Sequence, residues 1–408
     1  MRDDVSIFGK STGENNTISG RINYNYRSNY FYGYDIDNPP ATPFNPQKQH
    51  FNTIGAEGEL TRNYKDTDRA FTYALKLKGY AFSDAYKARE SNIVLSGFIN
   101  QTIKHFYAGL SGSLDIASQT DSLYSYNNSF LRLNPYLKFQ GDNYKIDAGV
   151  NIVDQFGYQN KFYIFPAAKL EFQVVPNYVR LFAEAKGDVN RTSLYQLSLI
   201  NPFLGQNLNI TNSVDRLDLA LGLKGTLAPG LSFKATFFRN SVENLPLLVS
   251  NFNSTGVNNK FTVIYDNGTD RISGFTGELN FKESTDLDLF GRVEFKDYKL
   301  NSQAQPWNLP KFKLTAGTVI HITDKVDING SLLIRGATQD PNPTTVGSTT
   351  TYTPISSYVD LSAGVQYKVS KRFNLFLQAN NLLNASEQTW LYYPNYGFNI
   401  FGGAGFSF

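Results

Sequence analysis

Side chains that could do chemistry are few and far apart. The chain has three histidines, His50, His105 and His321, and no cysteine. His50 follows Asp35 and Asp37, the one spacing that could pair a base with a carboxylate, but no G-x-S-x-G nucleophile motif accompanies it. Without cysteine, disulfides, thiolate zinc sites and iron–sulfur clusters are excluded. The sequence therefore predicts no catalytic residue, no enzymatic activity, no metal site and no cofactor.

Charged side chains recur at every second position in three segments. A period of two places successive members on the same face of a β-strand. Charges of both signs on one such face suit a water-filled interior, where they either pair between neighbouring strands or form a solute-selecting constriction. The candidate lumen-lining residues are Arg180, Glu184, Lys186, Asp188, Arg292, Glu294, Lys296, Lys311 and Lys313.

The elements that carry these charges are predicted to be two-faced strands. In the segment Tyr358–Val369, every odd position is apolar, while the even positions include Asp360 and Lys368. Arg216–Leu227 shows the same alternation. This period indicates strands rather than helices. No stretch of about 20 mostly apolar residues is present, so no membrane-spanning helix is expected.

The connections alternate in length along the chain. Tight turns such as Pro229-Gly230 and Asp324-Lys325 are separated by long loops rich in Asn, Pro, Thr and Ser. The predicted long loops are Tyr34–His50, Asn190–Ser213, Asn244–Thr269, Ala337–Ser357 and Ala385–Tyr396. Short turns on one rim and long loops on the other are typical of transmembrane β-barrels, with the long loops outside the cell.

The fold class predicted is all-β: an antiparallel transmembrane barrel of about 18 strands, with 16 as the alternative count. The barrel is assigned to residues 16–408, residues 1–15 are assigned to a short periplasmic segment, and both termini are expected on the short-turn side. A soluble β-sandwich is the competing interpretation. It does not explain the alternating loop lengths together with the aromatic residues at strand ends, such as Tyr30 and Tyr34.

Composition removes two further classes of protein. Aromatic residues make up 15% of the 408 residues, and the net charge is only +3. This composition excludes a disordered chain. Because the positive charge is slight and forms no basic cluster, nucleic acid is excluded as a partner.

The end of the chain carries a family resemblance. Phe398–Phe408 alternates and ends on an aromatic residue, which resembles the terminal strand of bacterial outer-membrane barrels. That resemblance implies that Phe406 and Phe408 are read by the barrel-assembly machinery. Phe373–Asn384, ending in Asn381-Leu382-Leu383-Asn384, is similar to the ending of TonB-dependent receptors, and Asn190–Pro246 resembles TonB-receptor-like barrels of Bacteroidetes.

The resemblance implies an integral barrel in the outer membrane of a Gram-negative bacterium, surrounded by outer-membrane lipid and lipopolysaccharide. Full receptors also carry a plug domain and a TonB box, and residues 1–15 are too short to be a plug. Either the plug lies outside these residues or the protein is a plugless relative. Coupling to TonB therefore does not carry over.

Two functions remain open at this stage. The first is passage or uptake of small polar solutes. The second is a non-conducting structural subunit that docks other outer-membrane or periplasmic proteins through its loops or periplasmic rim. An open, charged lumen would favour transport, and a segment folded into the lumen would favour the structural role.

One long loop offers aromatic candidates for binding a glycan or a partner protein outside the cell. They are Trp390, Tyr392, Tyr393 and Tyr396. The competing interpretation of these side chains is an interfacial aromatic girdle with packing between loops.

Overall fold

The computed structural model describes residues 1–35, 39, 45–63, 71–104, 106–251, 260–283, 286–342 and 351–406. Within them, one short helix, α1 (Leu194–Ile200), accompanies twenty-three strands. The strands are β1 (Arg2–Thr12), β2 (Asn16–Tyr30), β3 (Lys48–Arg62), β4 (Phe71–Asp84), β5 (Arg89–Ile103), β6 (Phe106–Asp121), β7 (Tyr124–Gln140), β8 (Tyr144–Gly157), β9 (Lys161–Val175), β10 (Val179–Asn190), β11 (Ser213–Ala228), β12 (Leu231–Asn251), β13 (Lys260–Glu283), β14 (Leu287–Lys299), β15 (Phe312–Thr323), β16 (Val326–Arg335), β17 (Thr338–Asn342), β18 (Thr351–Ile355), β19 (Tyr358–Lys368), β20 (Phe373–Asn380), β21 (Gln388–Trp390), β22 (Tyr393–Pro394) and β23 (Asn399–Phe406).

Nineteen of these strands form one antiparallel sheet in which each strand pairs with the next along the chain. The other four form two hairpins, β17–β18 and β21–β22, inside long loops. This up-and-down order is that of a meander barrel. Among the described residues, β1 and β23 are the two ends of the sheet. The all-β antiparallel prediction is confirmed, and the nineteen strands of the sheet roughly fit the predicted count of about 18.

The start of the chain differs from the prediction. Arg2–Thr12 is a full strand, β1, which pairs with β2 from Arg2↔Arg27 to Thr12↔Thr17. The terminal ammonium of Met1 donates to the Ser28 carbonyl oxygen at 2.9 Å, so the N-terminus lies at the long-loop rim. Residues 2–12 therefore belong to the sheet, so the predicted boundary at residue 16 does not mark where the barrel begins. The N-terminus was expected on the short-turn rim, and that expectation is wrong. The charged run that opens the chain hides the alternation of Val5 and Ile7.

One predicted long loop is mostly strand. Within Asn244–Thr269, β12 continues to Asn251 and β13 begins at Lys260, with pairing from Leu245↔Asp266 to Asn251↔Lys260. Asparagines and Pro246 gave this stretch the composition of a loop. Its Leu247 and Val249 are buried in one cluster with Trp307, and that packing stabilises the extended hairpin.

The two faces of the sheet have opposite chemistry. Large apolar side chains stay exposed on the outer face, among them Ile93, Leu221 and Val365, which are 58%, 52% and 37% exposed. An apolar band exposed around a barrel is the surface that lipid covers. Charged and amide side chains occupy the alternate positions of the strands, on the inner face. In the described part of the chain, no helix has both the length and the apolar character needed to cross a bilayer.

Candidate functional site

The loop between β10 and β11 folds inward instead of standing above the rim. We call residues 191–212 the inner segment. It contains α1, whose N-cap Ser193 has extended backbone angles and accepts a hydrogen bond from the Gln196 amide at 3.2 Å. A serine in this position satisfies a free helix amide. The helix ends at Ile200 because Asn201, which precedes Pro202, has extended backbone angles, as residues before a proline prefer.

A buried carboxylate anchors the start of α1 to the barrel wall. Glu90 of β5 is only 2% exposed. Its carboxylate accepts from the Ser193 hydroxyl at 2.5 Å, the Leu194 amide at 2.7 Å and the Gln119 side chain at 2.7 Å. The Tyr80 hydroxyl donates to the same carboxylate. Bonds to a charged acceptor are among the stronger hydrogen bonds in proteins, so this group holds the helix in place.

Further bonds fasten the inner segment to other strands. Arg27 of β2 donates to the Ser198 carbonyl oxygen at 3.0 Å and to its hydroxyl at 2.9 Å. The Gly205 amide donates to the Phe261 carbonyl oxygen at 2.8 Å, and Leu204 forms a parallel bridge with Phe261 of β13. Strands β2, β5 and β13 are well separated in the sheet. The inner segment therefore crosses the mouth of the barrel.

At this rim, an aromatic residue of the inner segment packs with aromatic residues of β13 and of the loops after β2 and β20. Phe203 stacks on Tyr393 with ring centroids 3.6 Å apart, and Phe261 lies 5.2 Å from Trp390. Phe31 belongs to the same buried cluster. We call these five residues the mouth cluster. Because it joins the loop after β2, the inner segment and the loop after β20, it closes this part of the rim.

The four aromatic residues predicted in the last long loop separate into two environments. Trp390 and Tyr393 are 9% and 1% exposed and belong to the mouth cluster, whereas Tyr396 is 89% exposed. Burial also raises the pKa of the Tyr393 phenol, so the hydroxyl keeps its proton. Tyr392 is half-buried, with a backbone φ of 65°. Only Tyr396 and part of Tyr392 are accessible to a molecule outside the barrel.

A polar cavity lies on the inner face of β5 to β11. Its volume is about 1030 Å³, and its lining reaches Asn190, the residue before the inner segment. Three of the predicted lumen-lining residues belong to it, namely Glu184, Lys186 and Asp188. Its other polar and charged residues include Tyr107, Asn134, Tyr136, Lys138, Lys145, Asp147, Asn151, Lys169, Asp215 and Asp218. Amides, phenols and charges of both signs together suit a small, strongly polar solute.

Several predicted lumen charges are paired along the wall near this cavity. Lys186 lies 3.2 Å from Glu184 on the same strand, Asp188 lies 3.0 Å from Arg132, and Arg180 lies 4.0 Å from Glu171. Such pairs satisfy charges that the barrel removes from bulk water. They leave the cavity polar but limit the number of free charges.

The remaining lumen-lining candidates lie elsewhere. Arg292 pairs with Glu294 at 2.7 Å and with Glu278 at 3.5 Å. Lys296 and Lys313, on β14 and β15, have no ion pair within 4.0 Å among the described residues, and Lys311 precedes β15 in the loop. The structure thus brings three of the nine candidates into one cavity and does not gather all nine.

The predicted assembly-signal residues and the histidines lie on separate parts of the chain. Phe406 ends β23, opposite Phe373, and is 65% exposed, whereas Phe408 lies outside the described residues, as does His105. His50 stacks on Tyr26, and His321 contacts Asp327 at 2.6 Å on another part of the sheet. In the part of the chain that the structure describes, no three acidic or histidine side chains form a metal-binding group.

Sequence reasoning missed the anchors of the inner segment. Glu90 and Arg27 lie in strands with no unusual local pattern, and their partners are 103 and 171 positions away along the chain. The available signal was the pair Ser193 and Pro202, which marks the two ends of a short helix.

Comparison with known proteins identifies the architecture. No family model matches the chain, and no curated protein matches it. Among solved structures, it is similar to the siderophore receptor PirA from Acinetobacter baumannii, with a TM-score of 0.71 and 12% identity over 100% of this chain and 71% of that one. It is also similar to the ferric-catecholate import receptor Fiu from E. coli K12, with a TM-score of 0.71 and 10% identity over 99% of this chain and 74% of that one.

A third similar structure is FpvA from P. aeruginosa bound to heterologous pyoverdines, with a TM-score of 0.68 and 11% identity over 99% of this chain and 65% of that one. At these identities the likeness establishes the fold. Together with the apolar outer band, it shows a β-barrel with the fold of those receptors.

Proposed function

We propose that this barrel admits small polar solutes across the outer membrane and that the inner segment closes its mouth at rest. The observation that carries the proposal is the polar cavity of about 1030 Å³ on the inner wall, directly beside the inner segment. The similar solved structures include import receptors, which supports uptake as the general role.

The contacts of the inner segment support a gated rather than a permanently open pathway. The inner segment is bonded to strands on separate parts of the wall, and the mouth cluster packs over it. A solute that enters from the long-loop side must displace these contacts. The net contribution of one hydrogen bond to stability is about 0.5–1.5 kcal/mol, and that of a bond to a charged group is about 1.5–3 kcal/mol. The inner segment is therefore displaced infrequently without a binding partner or an energy source.

A second candidate is the non-conducting structural subunit. A segment folded into the lumen is the feature that favours this role. The exposed Tyr396 at the same rim offers a contact for another protein outside the barrel. Under this alternative, the inner segment is a permanent part of the barrel rather than a gate.

Solute flux into proteoliposomes distinguishes the two functions. The variant Glu90→Gln with Arg27→Gln weakens both anchors, and we expect it to admit a small sugar or amino acid faster than the wild type. The control is Leu199→Ser with Ile200→Ser, which changes the exposed side of α1, where these residues are 53% and 60% exposed. No flux through any folded variant, together with stoichiometric partners in a pull-down from native outer membranes, would favour the structural subunit.

A further inference from the structure

The polar cavity on the inner face of β5 to β11 carries opposite charges at its two ends. Lys138 and Lys145 line it within two residues of the short turn between β7 and β8, and we call them the cationic end. Asp188 and Asp215 line it within two residues of the points where β10 and β11 join the inner segment. Together with Asp218, farther along β11, they form the acidic end. The cavity is therefore polarised along the strands.

The acidic end has more negative charge than its own neighbours neutralise. The register neighbour of Asp215 is Asp188, a second carboxylate. The register neighbour of Asp218 is Lys186, but that ammonium group pairs with Glu184 at 3.2 Å. The Oδ1 atom of Asp218 is buried and has no hydrogen-bond partner among the described residues. Since a buried acceptor is costly to leave unpaired, this end suits a cationic donor.

The cationic end has the opposite imbalance. On the neighbouring strand, Lys145 lies opposite Glu171, a carboxylate that already contacts Lys169 at 3.1 Å. Lys138 lies 3.8 Å from Asp147. In the part of the chain that the structure describes, Lys145 forms no ion pair within 4.0 Å. Positive charge at this end is thus available to a carboxylate of a ligand.

Uncharged polar groups line the wall between the two ends. Tyr136 and Asn134 continue the inner face of β7 beyond Lys138, and Asn151 continues that of β8. Amide side chains both donate and accept hydrogen bonds, as peptide groups do. The cavity volume of about 1030 Å³ is at the upper end of the range for small-molecule pockets, about 300–1,000 Å³. This wall therefore suits an extended ligand with amide groups along its length.

The separation of the two ends sets the length of that ligand. The register places Asp218 level with Gly149 of β8, through Lys186 and Ala167 on the strands between them. Lys145 lies four residues from Gly149, which is about 13 Å along the strand. An extended chain spans about 3.3–3.6 Å per residue, so about four residues bridge the two ends.

We propose that the cavity binds a linear zwitterion, a short peptide of about four residues, with its ammonium group at Asp215 and Asp218 and its carboxylate at Lys138 and Lys145. Charge-assisted hydrogen bonds at both termini are stronger than neutral ones, so the two termini, rather than the side chains, supply the recognition. This inference rests on the proposed function, because it names the class of solute that the barrel admits.

The first test varies the charges of the ligand. The purified barrel is dialysed to equilibrium against tetra-alanine, its N-acetylated form, its C-amidated form and the form blocked at both ends. Equilibrium binding does not depend on how slowly the inner segment opens. Tetra-alanine should bind about tenfold more tightly than either singly blocked form, because each charged contact is a sizeable part of the affinity. Equal binding of all four forms, or no binding of any, would overturn the proposal.

The second test varies the charges of the cavity. Asp215→Asn with Asp218→Asn should weaken binding of tetra-alanine about tenfold and leave the acetylated form unaffected, since that form has no ammonium group. Lys138→Gln with Lys145→Gln should likewise spare the amidated form. If each variant weakened the blocked and free forms equally, the assignment of the two ends would be overturned.

Two control variants separate charge from damage to the fold. Glu57→Gln with Glu59→Gln removes two carboxylates of β3 that do not line the cavity, and it should bind tetra-alanine as the wild type does. Lys138→Arg with Lys145→Arg keeps both charges and should retain most of the binding. Loss of binding in the first control would contradict the placement of the ligand.

The result is separable from the test of solute passage. Flux of a small sugar combined with equal binding of the four peptide forms would retain the proposed function and overturn the peptide ligand. Selective binding of tetra-alanine without flux of any solute would support the ligand and reject uptake.

Discussion

Glu90 of β5 holds α1, a short helix within a loop, against the barrel wall. Its carboxylate accepts from donors on β4, β6 and the inner segment, and almost none of it reaches solvent. Removing one partner from a buried charged group leaves the others unsatisfied, which costs more than the bond itself contributes. At this scale the sequence predicted which faces carry charge, but it could not predict that Glu90 meets Leu194, because that contact is made by tertiary folding.

Replacing Glu90 with Gln should loosen the inner segment while leaving the strands intact. The amide of Gln presents its own donors to groups that already donate, so we expect the opening free energy to fall by about 1.5–3 kcal/mol. Hydrogen exchange of the amides in residues 193–205 should accelerate about 10-fold to 100-fold. Glu14→Gln, in an exposed turn at the other rim, is the control. Equal exchange in both variants would contradict the anchoring role.

Asp340 is a buried titratable group in the β17–β18 hairpin. The carboxylate is fully buried, accepts from the Ser250 amide at 3.1 Å and also accepts from Asn308. Burial raises the pKa of Asp340 to about 6. Since the pKa is higher in the docked hairpin than in an undocked one, docking should strengthen as the pH falls from about 7.5 to 5, by on the order of 1 kcal/mol.

Hydrogen exchange in residues 338–342 and 351–355, corrected for the intrinsic effect of pH, measures this docking. Protection should be greater at pH 5 than at pH 7.5 in the wild type. Asp340→Asn should flatten the dependence, because it removes the titrating group. Protection that falls toward pH 5 would have the wrong sign.

Among the elements, the strands follow directly from the sequence, and their exceptions have physical causes. Alternation over Tyr358–Val369 gave β19 because one side of that strand faces lipid and the other faces the lumen. β1 was missed because charges at Arg2, Asp3 and Asp4 obscured its apolar positions. The extension of β12 to Asn251 was missed because buried packing with Trp307, rather than local propensity, stabilises it.

The assigned facing can be tested on β11. Leu221→Arg places a charge on the outer face of the apolar band and should destabilise the barrel by about 2–4 kcal/mol if it lies near mid-membrane. Val365→Arg on β19 should behave similarly. Thr276→Arg, at an inner position opposite Glu294, is the control and should cost much less. Urea unfolding in lipid vesicles measures these differences, and equal costs for the inner and outer variants would contradict the assigned facing.

Across the whole molecule, the segment that crosses the mouth of the barrel is the feature that the sequence alone could not predict. Loop lengths predicted a barrel with long loops on one rim, and the loop between β10 and β11 was correctly placed. Nothing in residues 191–212 indicated that they turn inward, since their partners lie on β2, β5 and β13. The inward position of this segment therefore arises from the assembly of distant strands around it.

The proposed closure by the inner segment is tested most directly by single-channel conductance of a variant that carries a reversible disulfide. The chain has no cysteine, so Leu204→Cys with Phe261→Cys introduces one pair at positions that form a backbone bridge. Disulfides span Cα separations of about 4.4–6.8 Å, and bridged strand neighbours fall near this range. In the Glu90→Gln, Arg27→Gln background, we predict openings when the pair is reduced and none when it is oxidised. Identical currents in both redox states would contradict the claim that the inner segment closes the pathway.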